Sequence, residues 1–177
     1  MKRRHLVSLV TGLIVALGVV ATSAAAPPRN FVTPLSGDEE VPARETQARG
    51  VGIFQLSADG QTMSYRLIAS NIENVIMAHI HVGPADGTGP IGVWLAPSTA
   101  IGVQLPPGGG RHDGVLATGT FTAANFTGPL AGASMDALVE ILASGGAYVN
   151  VHTSDGMDPP NTGPGDFPGG EIRGQID

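Results

Sequence analysis

The 177-residue sequence contains no cysteine. That excludes disulfides, thiol nucleophiles, thiolate metal sites and cysteine-ligated clusters. Stability then has to come from the core alone, which a chain of this size can supply. Lysine is nearly absent too, with Lys2 the one example. Without lysine in the body of the chain there is no Schiff-base chemistry and no phosphate-binding P-loop. Neither G-x-S-x-G nor H-E-x-x-H occurs, so serine-hydrolase and zinc-protease readings have no motif to stand on.

What is present begins with a leader. Lys2, Arg3 and Arg4 precede an apolar run from Leu6 to Val20, and "ATSAAA" follows. The run is short for a membrane span and right for a secretory signal with a small-residue cleavage region, so residues 1–26 read as a signal peptide. The competing reading is an uncleaved anchor. With the leader removed, six arginines stand against fifteen acidic residues, a formal charge of −9. Such a surface repels phosphate backbones and gains nothing from anionic lipid, so neither nucleic acid nor a membrane span is expected of the mature chain.

Glycine and proline are frequent, at 26 and 14, yet apolar residues alternate between them. This predicts an all-β fold, an antiparallel sandwich or barrel of about eight short strands. The expected strands are Phe31–Ser36, Gly50–Ser57, Thr62–Ser70, Val75–Val82, Ile91–Leu95, Val115–Phe121, Ala147–Thr153 and Glu171–Ile176. "SADGQ" at 57–61 reads as a hairpin turn. One segment, "SMDALVEILASGG", spaces Met135, Leu138, Val139 and Leu142 as a helix does. Ser134 suits its start and Gly145 its end. "PPGGGRHDG" (106–114) and "NTGPGDFPGG" (161–170) read as loops, with His112 solvated.

Alternation along a strand assigns sides. In "AHIHV", His79 and His81 share one face, and Ala78, Ile80 and Val82 the other, core face. In "AYVNVHT", Tyr148, Asn150 and His152 lie opposite Val149 and Val151. In "GEIRGQI", Glu171, Arg173 and Gln175 lie opposite Ile172 and Ile176. If these strands are neighbours, one polar face collects His79, His81, His152, Glu171 and Arg173, and a slip of one residue would invert it. "GDEEVP" reads as a solvated turn, with one acid free to pair with an arginine. Trp94 reads as core. Asp155, Asp158 and Asp166 are a weak calcium candidate, since turns use the same residues.

"LSGDEEVP", "AHIHVGPADGTGPIGVWL", "AYVNVHT" and "GGEIRGQI" together resemble the successive motifs of the chordin-type (CHRD) domain family, over roughly Phe31 to Asp177. The resemblance implies a secreted, immunoglobulin-like β domain occupying 27–177, of poorly defined biochemistry. One departure is the long spacer "SDGMDPPNTGPGDFPG" between the third and fourth motifs, which many members lack; it is expected either to cover the histidine face or to give that face a local role.

An H-x-H pair with a third histidine from another strand suits copper or zinc, the fourth position falling to water or Glu171. The rival is a solvated sheet face whose histidines hydrogen-bond to Tyr148, Asn150 or backbone, and its structural variant is a buried network of the histidines with Glu171 and Arg173. Arg173 favours that variant, because a cation beside a metal costs Coulomb energy. The sequence therefore reads first as a non-catalytic extracellular binding or structural module, its partner an extracellular protein or cell-surface ligand. The alternative is a copper- or zinc-binding protein. A metal-dependent redox enzyme ranks last, since superoxide dismutases of similar H-x-H pattern need more histidines than the four remaining here.

Overall fold

The computed structural model describes residues 29–105, 109–157 and 163–177. The expected signal segment, the start of the 106–114 loop and Asp158 lie outside these. Eight strands form in order: β1 (Asn30–Ser36), β2 (Arg49–Leu56), β3 (Thr62–Glu73), β4 (Val75–Val82), β5 (Ile91–Ala96), β6 (Arg111–Thr122), β7 (Ala147–Thr153) and β8 (Ile172–Ile176). Among the described residues a single α-helix, α1 (Met135–Ala143), lies between β6 and β7.

The strands make one antiparallel sheet in the order β5-β4-β7-β8-β1-β2-β3-β6. The sheet curls until its ends nearly meet. Val93 of β5 bridges Phe126 just beyond β6, and the Thr127 amide donates to the Gly92 carbonyl. The result is a nearly closed barrel rather than two separate sheets.

At the β8–β1 seam only Ser36 and Arg173 pair in register. A side chain at Gly174 would meet the Pro34 carbonyl at 2.1 Å, so only glycine lets the strands approach there.

Alternation supplies the core. Phe31 and Leu35 of β1, Phe54 and Leu56 of β2, and Met63, Tyr65 and Leu67 of β3 all turn inward. The helix adds Met135, Leu138, Val139 and Leu142 to the same core, beside β7. The Ser134 hydroxyl accepts the Ala137 amide at 3.2 Å, and Gly145 ends the helix at φ +65°.

Strand β6 starts earlier than alternation suggested. Arg111 and His112 pair with Glu73 and Ile72, so the second half of the expected 106–114 loop is strand. Bulges explain the misreading. Register slips beside Gly114, which sits at φ +128°, and again between Ala117 and Val115. A bulge breaks the two-residue period on which strand recognition depends. His112 is half-buried there, not in a solvated loop.

Candidate functional site

Strand β4 runs without a slip against β7 from Met77 to Val82. Its Ala78 and Ile80 belong to the core. Met77, His79 and His81 take the other face, where cross-strand pairing sets two rows. Trp94, His79, Asn150 and Arg173 form one; Ile91, His81, Tyr148 and Gln175 form the next. His152 stands opposite Met77. The polar residues of β4, β7 and β8 therefore do meet on one face.

That face is covered. His79 is 0% exposed, His152 6% and His81 8%. Two loops lie over it, each held by side chains of the face itself. Arg173 donates to the carbonyls of Gly87 and Pro84, both at 2.7 Å, and Gln175 to that of Gly83 at 3.1 Å. The Gly89 amide donates to the Tyr148 hydroxyl. A Cβ on Gly89 would stand 1.9 Å from the Val82 carbonyl, so the loop closes this tightly only with glycine there. The second loop, 163–170, belongs to the long spacer. Phe167 exchanges hydrogen bonds with Thr153 through its amide and carbonyl, and the Gly165 amide donates to Glu171.

Within this cover the three imidazoles converge. One ring nitrogen from each of His79, His81 and His152 lies within 4.8 Å of the others. Ring centroids are 5.4 Å apart for His79 and His81, 5.0 Å for His79 and His152, and 6.1 Å for His81 and His152. Nδ1 of His81 sits 2.8 Å from the Gly89 carbonyl oxygen, and Nδ1 of His152 sits 2.9 Å from that of Pro168. A carbonyl only accepts, so in neutral His81 Nδ1 carries the proton and Nε2, which has no partner, keeps its lone pair. His152 faces acceptors on both sides, with Nε2 3.0 Å from Oδ1 of Asn150, so a neutral ring donates to only one of them. His79 is buried with neither nitrogen paired.

Burial is the main reason the three stay neutral. It holds the His79 pKa down at about 3, with His152 and His81 adding repulsion. It also lowers His81 and His152, against the opposing hydrogen bonds to Gly89 and Pro168. Neutral imidazole is the form that binds metal.

Glu171 is not part of this group, contrary to its expected place in the fourth position. Its carboxylate is fully buried and engaged elsewhere. It accepts from Thr46 at 2.6 Å, Thr153 at 2.7 Å and the Gly165 amide at 2.9 Å. It tethers the second loop to β7 and to the segment before β2. Arg173 does not pair with it. The guanidinium stacks 3.4 Å over the Tyr148 ring, and Tyr148 stacks in turn on His81.

Two expectations are corrected. The "GDEEVP" turn is not wholly solvated, because Glu40 is only 7% exposed. Burial pushes its pKa up to about 7, opposed by Arg173, Arg44 and a hydrogen bond with Asn150. Nothing local in the sequence marks this residue, since its surroundings come from β7, β8 and the segment after the turn. Trp94 is not core but 40% exposed, and its ring stands edge-on to His79 with centroids 4.1 Å apart. Residue type rather than alternation caused that error. Val93 and Leu95 fill the core, so Trp94 between them faces outward and pairs with His79 on the histidine side. Of the calcium candidates, Asp158 lies outside the described residues. Asp155 is exposed and accepts the Met157 amide, as a turn does. Among the described residues the histidine trio is the one cluster of three or more ligand groups.

No curated protein and no solved structure gives a significant match to the chain. The family model described as the CHRD domain matches residues 31–176, a span that takes in the histidine pair, both covering loops and the helix. On that match, the chain belongs to the CHRD domain family.

Proposed function

We propose that this CHRD domain is a secreted, non-catalytic module whose covered sheet face binds a transition-metal ion, copper or zinc, through His79, His81 and His152. The observation that carries the reading is His79. Its two ring nitrogens are fully buried without a partner, and one of them lies within 4.8 Å of a ring nitrogen of His81 and of His152. Stranding a buried polar group costs about 1–3 kcal/mol, and a metal ion would recover that cost. The backbone carbonyls of Gly89 and Pro168 hold the outer nitrogens of two rings, the arrangement that orients histidine ligands around a metal. Burial of all three rings argues for holding an ion rather than for turning over a substrate, which would need access to them. The leader and the family together favour an extracellular setting.

Elemental analysis of the purified protein tests this, together with melting curves in copper, zinc and nickel. The expected result is one metal ion per chain, or a rise in Tm with metal that His79→Ala removes. Absence of bound metal and of any metal-dependent rise would end the reading.

A further inference from the structure

Met77 alternates with His79 and His81 on β4, and the unbroken β4–β7 register sets it directly opposite His152. It is half-buried, at the margin of the trio. Directly opposed residues on one face have Cβ atoms about 4.5–5.5 Å apart. The three torsions of methionine leave its sulfur free to reach across that gap. We infer that the ion held by the trio is monovalent copper, and that the Met77 thioether joins the three imidazoles as a ligand. The inference rests on the metal-binding reading above and assigns that site its ion.

Charge points the same way as position. No carboxylate joins the trio: Glu171 is closed by Thr46, Thr153 and Gly165, and Glu40, hydrogen-bonded to Asn150, is not among the converging ligand atoms. Every donor is therefore neutral. The site is buried, and the Arg173 cation lies on the Tyr148 ring that stacks on His81. The cost of burying an ion grows with the square of its charge, so a dication pays about four times what a monocation does. Zinc sites offset that cost with thiolate or carboxylate, or with open access to water. None of these is provided here. Imidazole with a soft thioether is a donor set that favours Cu(I).

The test is anaerobic competition titration of the mature protein. Cu(I) is competed against bicinchoninate, and Zn(II) against a chromophoric chelator. X-ray absorption is recorded on the Cu(I) complex. Wild type should bind one Cu(I) more tightly than Zn(II). Met77→Leu, which conserves volume, should weaken Cu(I) by roughly 10- to 100-fold and leave Zn(II) little changed. The chain has no cysteine, so a sulfur scatterer in the wild-type spectrum has to be methionine, and it should vanish in the variant. Equal Cu(I) affinity in both proteins, or a wild-type spectrum without sulfur, would overturn the inference and leave the metal site standing. Zn(II) bound more tightly than Cu(I) would also overturn it. Binding of neither ion would bring down the site and the inference together.

Discussion

His81 and Tyr148 lie ring on ring, 4.9 Å between centroids and 1° from parallel. The Tyr148 hydroxyl accepts the Gly89 amide, while His81 donates to the Gly89 carbonyl. One glycine thus joins the tip of the first covering loop to a sheet tyrosine and to a histidine of the trio. Arg173 completes the stack and holds the same loop at two further carbonyls. The orientation of His81 and the closure of the loop are one structural event.

Replacing Arg173 with lysine tests this coupling. A lysine keeps the charge but loses the planar stack on Tyr148 and cannot fork to the Pro84 and Gly87 carbonyls. Losing one charged hydrogen bond of this kind costs about 1.5–3 kcal/mol. Arg173→Lys should therefore lower unfolding stability by about 2–3 kcal/mol in urea. It should also raise amide exchange across 83–89. Wild-type stability with a mobile loop would mean the two are not linked.

Much of this arrangement is legible in the sequence because it rests on strand parity. β4 and β7 keep the bounds that alternation predicts, and the histidines leave the sheet opposite Ile80, Val149 and Val151. The helix is legible from the spacing of Leu138, Val139 and Leu142 behind the Ser134 cap. The covering of the face is harder to read. It depends on Arg173 and Glu171 reaching loops 86 and 6 residues distant, and no local period records such contacts. Trp94 and Glu40 mislead for different reasons. Trp94 alternates outward between Val93 and Leu95 although its residue type suggests core, and chain segments remote in sequence bury Glu40.

Glu171 and the trio should separate under mutation. The Glu171 carboxylate accepts three hydrogen bonds, and the Gly165 amide among its donors cannot reverse direction. Glu171→Gln should cost about 1–3 kcal/mol of stability. Because Glu171 is outside the metal cluster, metal affinity should stay near wild type. Urea unfolding and metal titration of the one variant measure both quantities. A large loss of affinity with unchanged stability would return Glu171 to the ligand set.

Acid should destabilise the fold, because three histidine titrations outweigh one opposed carboxylate titration over the same pH range. Folding raises the Glu40 pKa from 4.5 to about 7, so the unfolded chain gives up this proton first as pH rises. Stability then falls between about pH 4.5 and 7, by a total on the order of 3 kcal/mol from this group. Folding lowers His79 from 6.5 to about 3, and lowers His81 and His152 as well. The unfolded chain takes up those protons first as pH drops, so stability also falls below about pH 6.5. Melting temperature against pH in metal-free buffer checks the balance. Glu40→Gln removes the opposing titration, so the variant's melting temperature should fall more steeply than wild type's as pH drops below about 6.5.

Trp94 gives a direct optical check on the trio, because it is the sole tryptophan and stands edge-on to His79 at 4.1 Å. An ion held by His79 would be bound to a ring in direct contact with the indole. Cu(II) can accept an electron from an adjacent excited indole and become Cu(I), whereas closed-shell Zn(II) has no such route. Cu(II) should therefore quench Trp94 emission and saturate at one equivalent, while Zn(II) leaves most of the intensity. His152→Ala removes one ligand without touching the tryptophan contact, so it should abolish saturable quenching and keep the metal-free spectrum. Adventitious copper on the acidic surface would instead quench gradually, without a break at one equivalent, and equally in the variant.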